Sequence, residues 1–354
     1  MNAPPDSMTG VQAGPGAEGA AKTPGTAPAT GGATATPADA GGNTPAMPSI
    51  PTVVDFSAPV GEIAPELQTK TYTLAFNPQA GSKAAYETLF KMDASTQMPE
   101  EIKKSMGEAS TNMSTEWKMD ATYNFEKSDG KKFPISYTID DVVVKEKEAA
   151  KGAPPGMEAA VADGAKQMKG KTVKMTVGAD GKLIESGKSV DDGAAMAMQG
   201  FTQVVGIQGI VFPKKPVKVG DTWSSPVEFS KLMSGMGAMP GMKMDPINAV
   251  VKFVRVEGEE SDPIAVLEVI LKGNPNISMG GGGGGANAMP AFKMNVSMDS
   301  KSIVKIQVSS GLVLSSVGST TQTMSYDIPS MDKKAAPAKI KMKQVISVGM
   351  TKKD

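Results

Sequence analysis

The sequence predicts a mainly β or α+β fold: a large curved antiparallel sheet, a half-barrel, with two or three short helices on its concave face and a disordered linker before it. Three observations lead there. Apolar and polar residues alternate over long stretches, at the period of two that marks half-buried strands. Turn signals such as Ser128-Asp129-Gly130 separate those stretches. From Asn2 to about Val60 the chain is Ala, Gly, Pro and Thr with scattered charge, and its first aromatic is Phe56.

In chain order, residues 1–66 form the linker. They offer too little apolar surface to offset the entropy of ordering. Asn2 to Ser7 has neither the basic nor the apolar region of a secretory signal. Tails of this composition resemble the stretch between the lipidated cysteine and the folded domain of bacterial surface lipoproteins. That resemblance implies a lipid anchor in the native form, with Met1 standing where the cysteine was, and an extracytoplasmic location in the cell envelope or outside it.

Residues 67–354 are expected to form one β-rich domain with flexible insertions at about 231–246 and 279–290. Lys70 to Phe76 reads as a strand with Tyr72, Leu74 and Phe76 on one side, and Tyr86, Phe90 and Met92 follow the same rule. Met113 to Phe125 puts Met113, Trp117, Met119, Ala121, Tyr123 and Phe125 on one face. After Gly130, Phe133, Ile135, Tyr137 and Ile139 repeat the pattern, which makes a long hairpin. Lys171 to Ser186 reads as strand, turn, strand. Helices are expected at Met157 to Met168 and at Asp191 to Val205. In the second, Ser189 is the candidate cap, and Ala194, Met198, Phe201 and Val205 fall at helical spacing. Further strands are expected at Ile247–Glu257, Ile264–Lys272, Phe292–Met298, Ile303–Val308, Leu312–Val317 and Ile340–Val348, the last with Lys339, Lys341 and Lys343 pointing outward. Roughly ten to twelve consecutive, turn-linked strands favour antiparallel pairing.

The stretch VFPKKPVKVGDTWSSPVEF, Val211 to Phe229, resembles a signature of a family of bacterial secreted lipoproteins, F-P-x-x-P-V-x-x-G-D-x-W. The later VSSGLVLSSVGST, Val308 to Thr320, is similar to their strand, glycine turn, strand element. The likeness spans about Lys70 to Met350 and implies location and architecture, not an activity. The architecture is also similar to the unclosed barrels of LolA-like and LppX-like lipoproteins, which implies an apolar cavity that carries lipid. Read from its residues alone, Gly220-Asp221 is a turn and Trp223 its anchor on the core.

Composition narrows the function. The 37 basic and 37 acidic residues balance, Arg255 is the one arginine, and no nucleic-acid partner is expected. With His and Cys both at 0, the commonest general base, thiolate nucleophiles, disulfides and the usual zinc sites are absent. No catalytic residues, metal site or cofactor are assigned. The six glycines Gly280 to Gly285 lack the lysine and helix start of a phosphate loop. Ser302 and Lys305 match S-x-x-K, but on a strand they fall on opposite faces. Asp140 with Asp141 and Asp191 with Asp192 lie outside any known ligand loop, and Glu257 to Asp262 reads as a solvated turn.

Met233, Met236 and Met239 cluster in the 231–246 insertion. Thioethers at this spacing suit Cu(I), yet the chain holds 26 methionines, many at core-facing strand positions, which favours a flexible apolar flap over copper and a merely disordered, glycine-interrupted insertion over both. The expected protein is thus a non-enzymatic envelope lipoprotein that binds a lipid or other apolar ligand under its sheet, through Trp117, Tyr123, Phe125, Phe201, Met233, Met236 and Met239. Contact with membrane is expected only through the N-terminal lipid. The alternatives are a structural or protein-interaction role with a filled interior, and copper binding.

Overall fold

The computed structural model describes residues 63–97, 112–146, 167–186, 210–227, 242–244, 247–279, 292–328 and 338–353. The chain divides into units 1–46 and 47–354, and every described residue belongs to the second. The strands are β1 (Thr71–Tyr72), β2 (Lys83–Gln97), β3 (Asn112–Phe125), β4 (Lys132–Glu146), β5 (Thr172–Gly178), β6 (Leu183–Ser186), β7 (Val217–Lys218), β8 (Thr222–Val227), β9 (Met242–Met244), β10 (Ile247–Glu259), β11 (Asp262–Gly273), β12 (Asn276–Met279), β13 (Phe292–Gln307), β14 (Val313–Ile328) and β15 (Ala338–Lys352).

Thirteen of these make one antiparallel sheet. Its main path runs β6-β5-β4-β3-β2-β15-β14-β13-β11-β10-β8, while β12 pairs with β13 and β9. Two meanders, β2 to β6 and β8 to β15, join along β2 and β15, from Tyr86 opposite Lys352 to Gln97 opposite Lys341. Among the described residues the edge strands β6 and β8 do not pair with each other, so the sheet stays open rather than closing into a barrel. The alternation seen in the sequence is the cause of the core. Tyr86, Met119, Tyr123, Ile135, Phe253, Leu267, Val304 and Met350 project to one side and form a single cluster.

One end of that face is plugged. Residues 63–77 cross it, with the 3-10 turn Pro65–Thr69 docked on β10: Gln68 donates to the Val256 carbonyl at 2.8 Å and accepts from the Val256 amide at 3.0 Å. Phe76 N–H then donates to Ala179 O on the β5–β6 turn and Asn77 N–H to Ser310 O on the β13–β14 turn, each at 2.8 Å. Residues 210–212 cross beside them, with Phe212 N–H on Asp180 O at 2.7 Å. Gly181 and Gly311, at φ of 77° and 69°, let these crossings lie on the hairpin turns. A Cβ on Gly311 would overlap the Ala75 carbonyl, and one on Gly181 would come within 2.7 Å of Ile210 O. A chain of edge-on aromatic contacts fills the plug: Phe76 on Phe133 at 5.4 Å, Tyr86 on Tyr123 at 5.1 Å and Tyr72 on Phe253 at 5.9 Å.

Several expectations are corrected here. Lys70–Phe76 is strand only at Thr71–Tyr72, because its remaining backbone bonds to turns instead of a neighbouring strand. The stretches 292–298 and 303–308 are one strand, β13, and 312–317 continues to Ile328. Glu257 is not part of a solvated turn. It is buried on the outer face between Arg255 at 2.7 Å and Lys305 at 2.6 Å, and the turn itself is Glu260-Ser261. Of the helix at 157–168 only residues 167–168 are described, as a helical turn, and 191–205 lies outside the described residues.

Candidate functional site

The site is the concave face of the sheet beyond the plug. Because directly paired residues in an antiparallel sheet point to the same side, the register identifies its surface. One row runs from Val144 on β4 through Trp117, Phe90, Val348, Gly318 and Ser302 to Val269 on β11. The next outward row passes from Met92 through Ile346 and Thr320 to Ser300 and Leu271, and a third from Ala94 through Gln344 and Gln322 to Met298. Between β13 and β14 a Cβ on Gly318 would stand 2.6 Å from that of Ser302, far closer than the roughly 5 Å of an ordinary cross-strand pair, so Ser302 leans over the glycine.

Trp117 is half-buried and tilted against Phe90 at 5.7 Å. Its inward aim depends on the straight β2–β3 register, and a bulge keeps β4 in step beyond it. There Asp120 faces Asp141, Ala121 faces Ile139, and Asp140 is the extra residue, so Ile139 and Val142 both point inward. The two acids of the bulge have local partners. Asp140 accepts from Thr122 at 2.6 Å, and Lys169, 2.9 Å away, holds the Asp141 carboxyl below the usual carboxylate range.

Tyr123 and Phe125 lie behind this surface, buried in the plug. Tyr123 lies between Tyr86, which it meets edge-on, and Tyr137, tilted 4.8 Å away, and Phe125 meets Phe76 at 6.2 Å. Burial raises the pKa of all three tyrosines, and Tyr86 donates its hydroxyl to Val313 O at 2.9 Å. Phe201, Met233, Met236 and Met239 lie outside the described residues. The structure therefore brings together three of the seven expected residues on one face and separates Trp117 from the other two by depth. What the sequence reading missed is the group Ser300, Ser302, Thr320, Gln322 and Gln344, which shares the face with Trp117. Alternation counts polar residues as outward, so the only signal was their even spacing in register with apolar inward neighbours.

Gly220 and Asp221 form the expected turn, with Gly220 at φ 95° and the Asp221 carboxylate accepting from Lys218 N–H at 2.9 Å. Trp223 Nε1 donates to Val211 O at 2.8 Å, which ties residues 210–212 to β8. The plug leaves a crevice of about 10 Å³ lined by Phe76, Ile210, Phe212, Ile306 and Val313, enough for one water.

No family model matches the chain, and no curated protein matches it. A solved structure of lipovitellin, described for its lipid–protein interactions, aligns with a TM-score of 0.34 at 10% identity over 78% of this chain and 25% of that one. The chain thus spans about a quarter of that protein's length.

Proposed function

We propose that the protein is a non-enzymatic binding or carrier protein of the cell envelope, anchored by an N-terminal lipid, that holds a lipid or similar apolar molecule against the concave face of its sheet. The observation that carries this reading is the reach of that face past its plug. Strands of 14 to 16 residues extend about 50 Å, and the plug covers one end. Beyond it Trp117, Val142, Val144 and Met324 remain half-buried, while Lys118, Glu87 and Lys301 alternate to the other side. Half-buried apolar side chains on a concave surface gain from an apolar partner at about 25 cal/mol per Å² covered.

Trp117 and Trp223 are the two tryptophans, so a Trp223→Phe chain reports from Trp117 alone. Titration with brominated stearyl alcohol is expected to quench its emission saturably, and organic extraction of protein isolated from its native envelope is expected to yield a stoichiometric apolar molecule. Absence of both overturns the reading. The filled plug favours a second one, a structural or interaction protein, and a dry extract with an identified protein partner would establish it. Metabolic labelling with palmitate tests the anchor: an unlabelled cytosolic protein excludes it.

A further inference from the structure

The concave face changes chemistry partway along its strands. On β13 and β14 the inward residues just beyond the plug stop being apolar, and Gln344 of β15 joins them: Ser302 faces Gly318, Ser300 faces Thr320, and Gln322 faces Gln344. Thr320 Oγ1 donates to Ser300 Oγ at 2.8 Å, and Gln344 Nε2 donates to Met342 Sδ at 3.1 Å. All five polar side chains are half-buried, and Ser300, Thr320 and Gln344 keep donor or acceptor capacity beyond the bonds they make. Apolar residues flank this band on both sides, Val348 and Ile346 toward β2 and Val269 and Leu271 toward β11.

Charge is absent from the described part of this surface on β2, β15, β14, β13 and β11. From Met350 to Ile340 on β15, and at the facing positions of β2, β14, β13 and β11, no described inward side chain is charged. A ligand of pure hydrocarbon laid on this face would strand the hydroxyls and amides of the band, at a cost for each group left unpaired. An anionic head drawn onto it would find no cation among the described inward residues of these strands, and burying an unpaired charge costs far more.

We infer that the ligand is a neutral amphiphile, whose uncharged hydroxyl, ester or amide groups lie on Ser300, Ser302, Thr320, Gln322 and Gln344 while its hydrocarbon runs onto the apolar flanks. This rests on the carrier reading above and narrows it to a chemical class.

Equilibrium dialysis of the full chain against labelled monolaurin, laurate and dodecane at neutral pH tests the inference. Monolaurin is expected to bind about tenfold more tightly than either of the others, as sites built around hydrogen bonds discriminate against partners that lack them. Thr320→Val with Gln322→Leu is expected to weaken monolaurin about tenfold and to leave dodecane unchanged or tighter. Ser300→Ala serves as a milder second variant in the same direction, and an unchanged unfolding midpoint shows that each variant is folded. Dodecane or laurate binding as well as monolaurin, or monolaurin indifferent to the substitutions, overturns the inference and leaves the carrier reading standing. No binding of any of the three overturns both.

Discussion

Gly311 holds φ at 69° on the β13–β14 turn, directly beneath the Ala75 carbonyl. A side chain there meets both backbone strain and a backbone atom that cannot move without releasing the crossing. Gly311→Ala is therefore expected to destabilise the fold by more than about 1 kcal/mol, read as a lower urea midpoint at unchanged slope. The tyrosines give a pH signature. Burial raises the pKa of Tyr86, Tyr123 and Tyr137 above the ordinary value near 10. The unfolded chain ionises first, so the stability they contribute is whole below about pH 10 and is lost as pH rises from there through their folded values. Thermal midpoints should fall across that alkaline window, and less steeply in Tyr137→Phe. The opposite sign applies to Asp141, whose pKa Lys169 lowers: its contribution is present above the unfolded carboxylate range and is lost as pH falls through the folded value.

At the scale of elements, the crossing 63–77 works as a strap because Gln68 imitates a neighbouring strand, bonding both the N–H and the C=O of Val256. Gln68→Met keeps the volume and removes both bonds. It should cost about 1–3 kcal/mol and speed hydrogen exchange at the Val256 amide, while amides in the middle of β3 keep their protection. Strand existence was legible wherever one face is apolar, as in β3 and in β4 up to Ile139, whose inward positions match the alternation until the bulge at Asp140. It failed in β13 and β14. There Asp299 to Ser302 and Gly318 to Gln322 place polar or small residues on both faces, which reads as a turn although the ladder runs through without a break. The residues that hid the strands are those of the polar band. Lys70–Phe76 failed for the opposite reason: its alternation is real, with Tyr72, Leu74 and Phe76 buried, but only Thr71 and Tyr72 find a strand to pair with.

For the whole molecule, the seam between β2 and β15 sets the behaviour of folding. It joins Tyr86 to Lys352 and Met92 to Ile346, so the longest loop in the chain must close before the two meanders share one face. Refolding is expected to be slow for the chain's size, on the order of seconds or longer. A chain ending at Ser330 leaves β2 and β14 as bare edges and should lose its cooperative urea transition in near-ultraviolet circular dichroism. The sequence by itself determined that the protein is β-rich and which side chains of β2, β3 and the first half of β4 face inward, because alternation is a local property. Only the tertiary structure decided that one end of the face is sealed by two crossings and that a polar, uncharged band lies in its middle. The seal depends on contacts between segments far apart in the chain, Phe76 on Ala179 and Asn77 on Ser310, and the band on the register of three consecutive strands, β13 to β15, whose central residues alternate too weakly for any one stretch to set it.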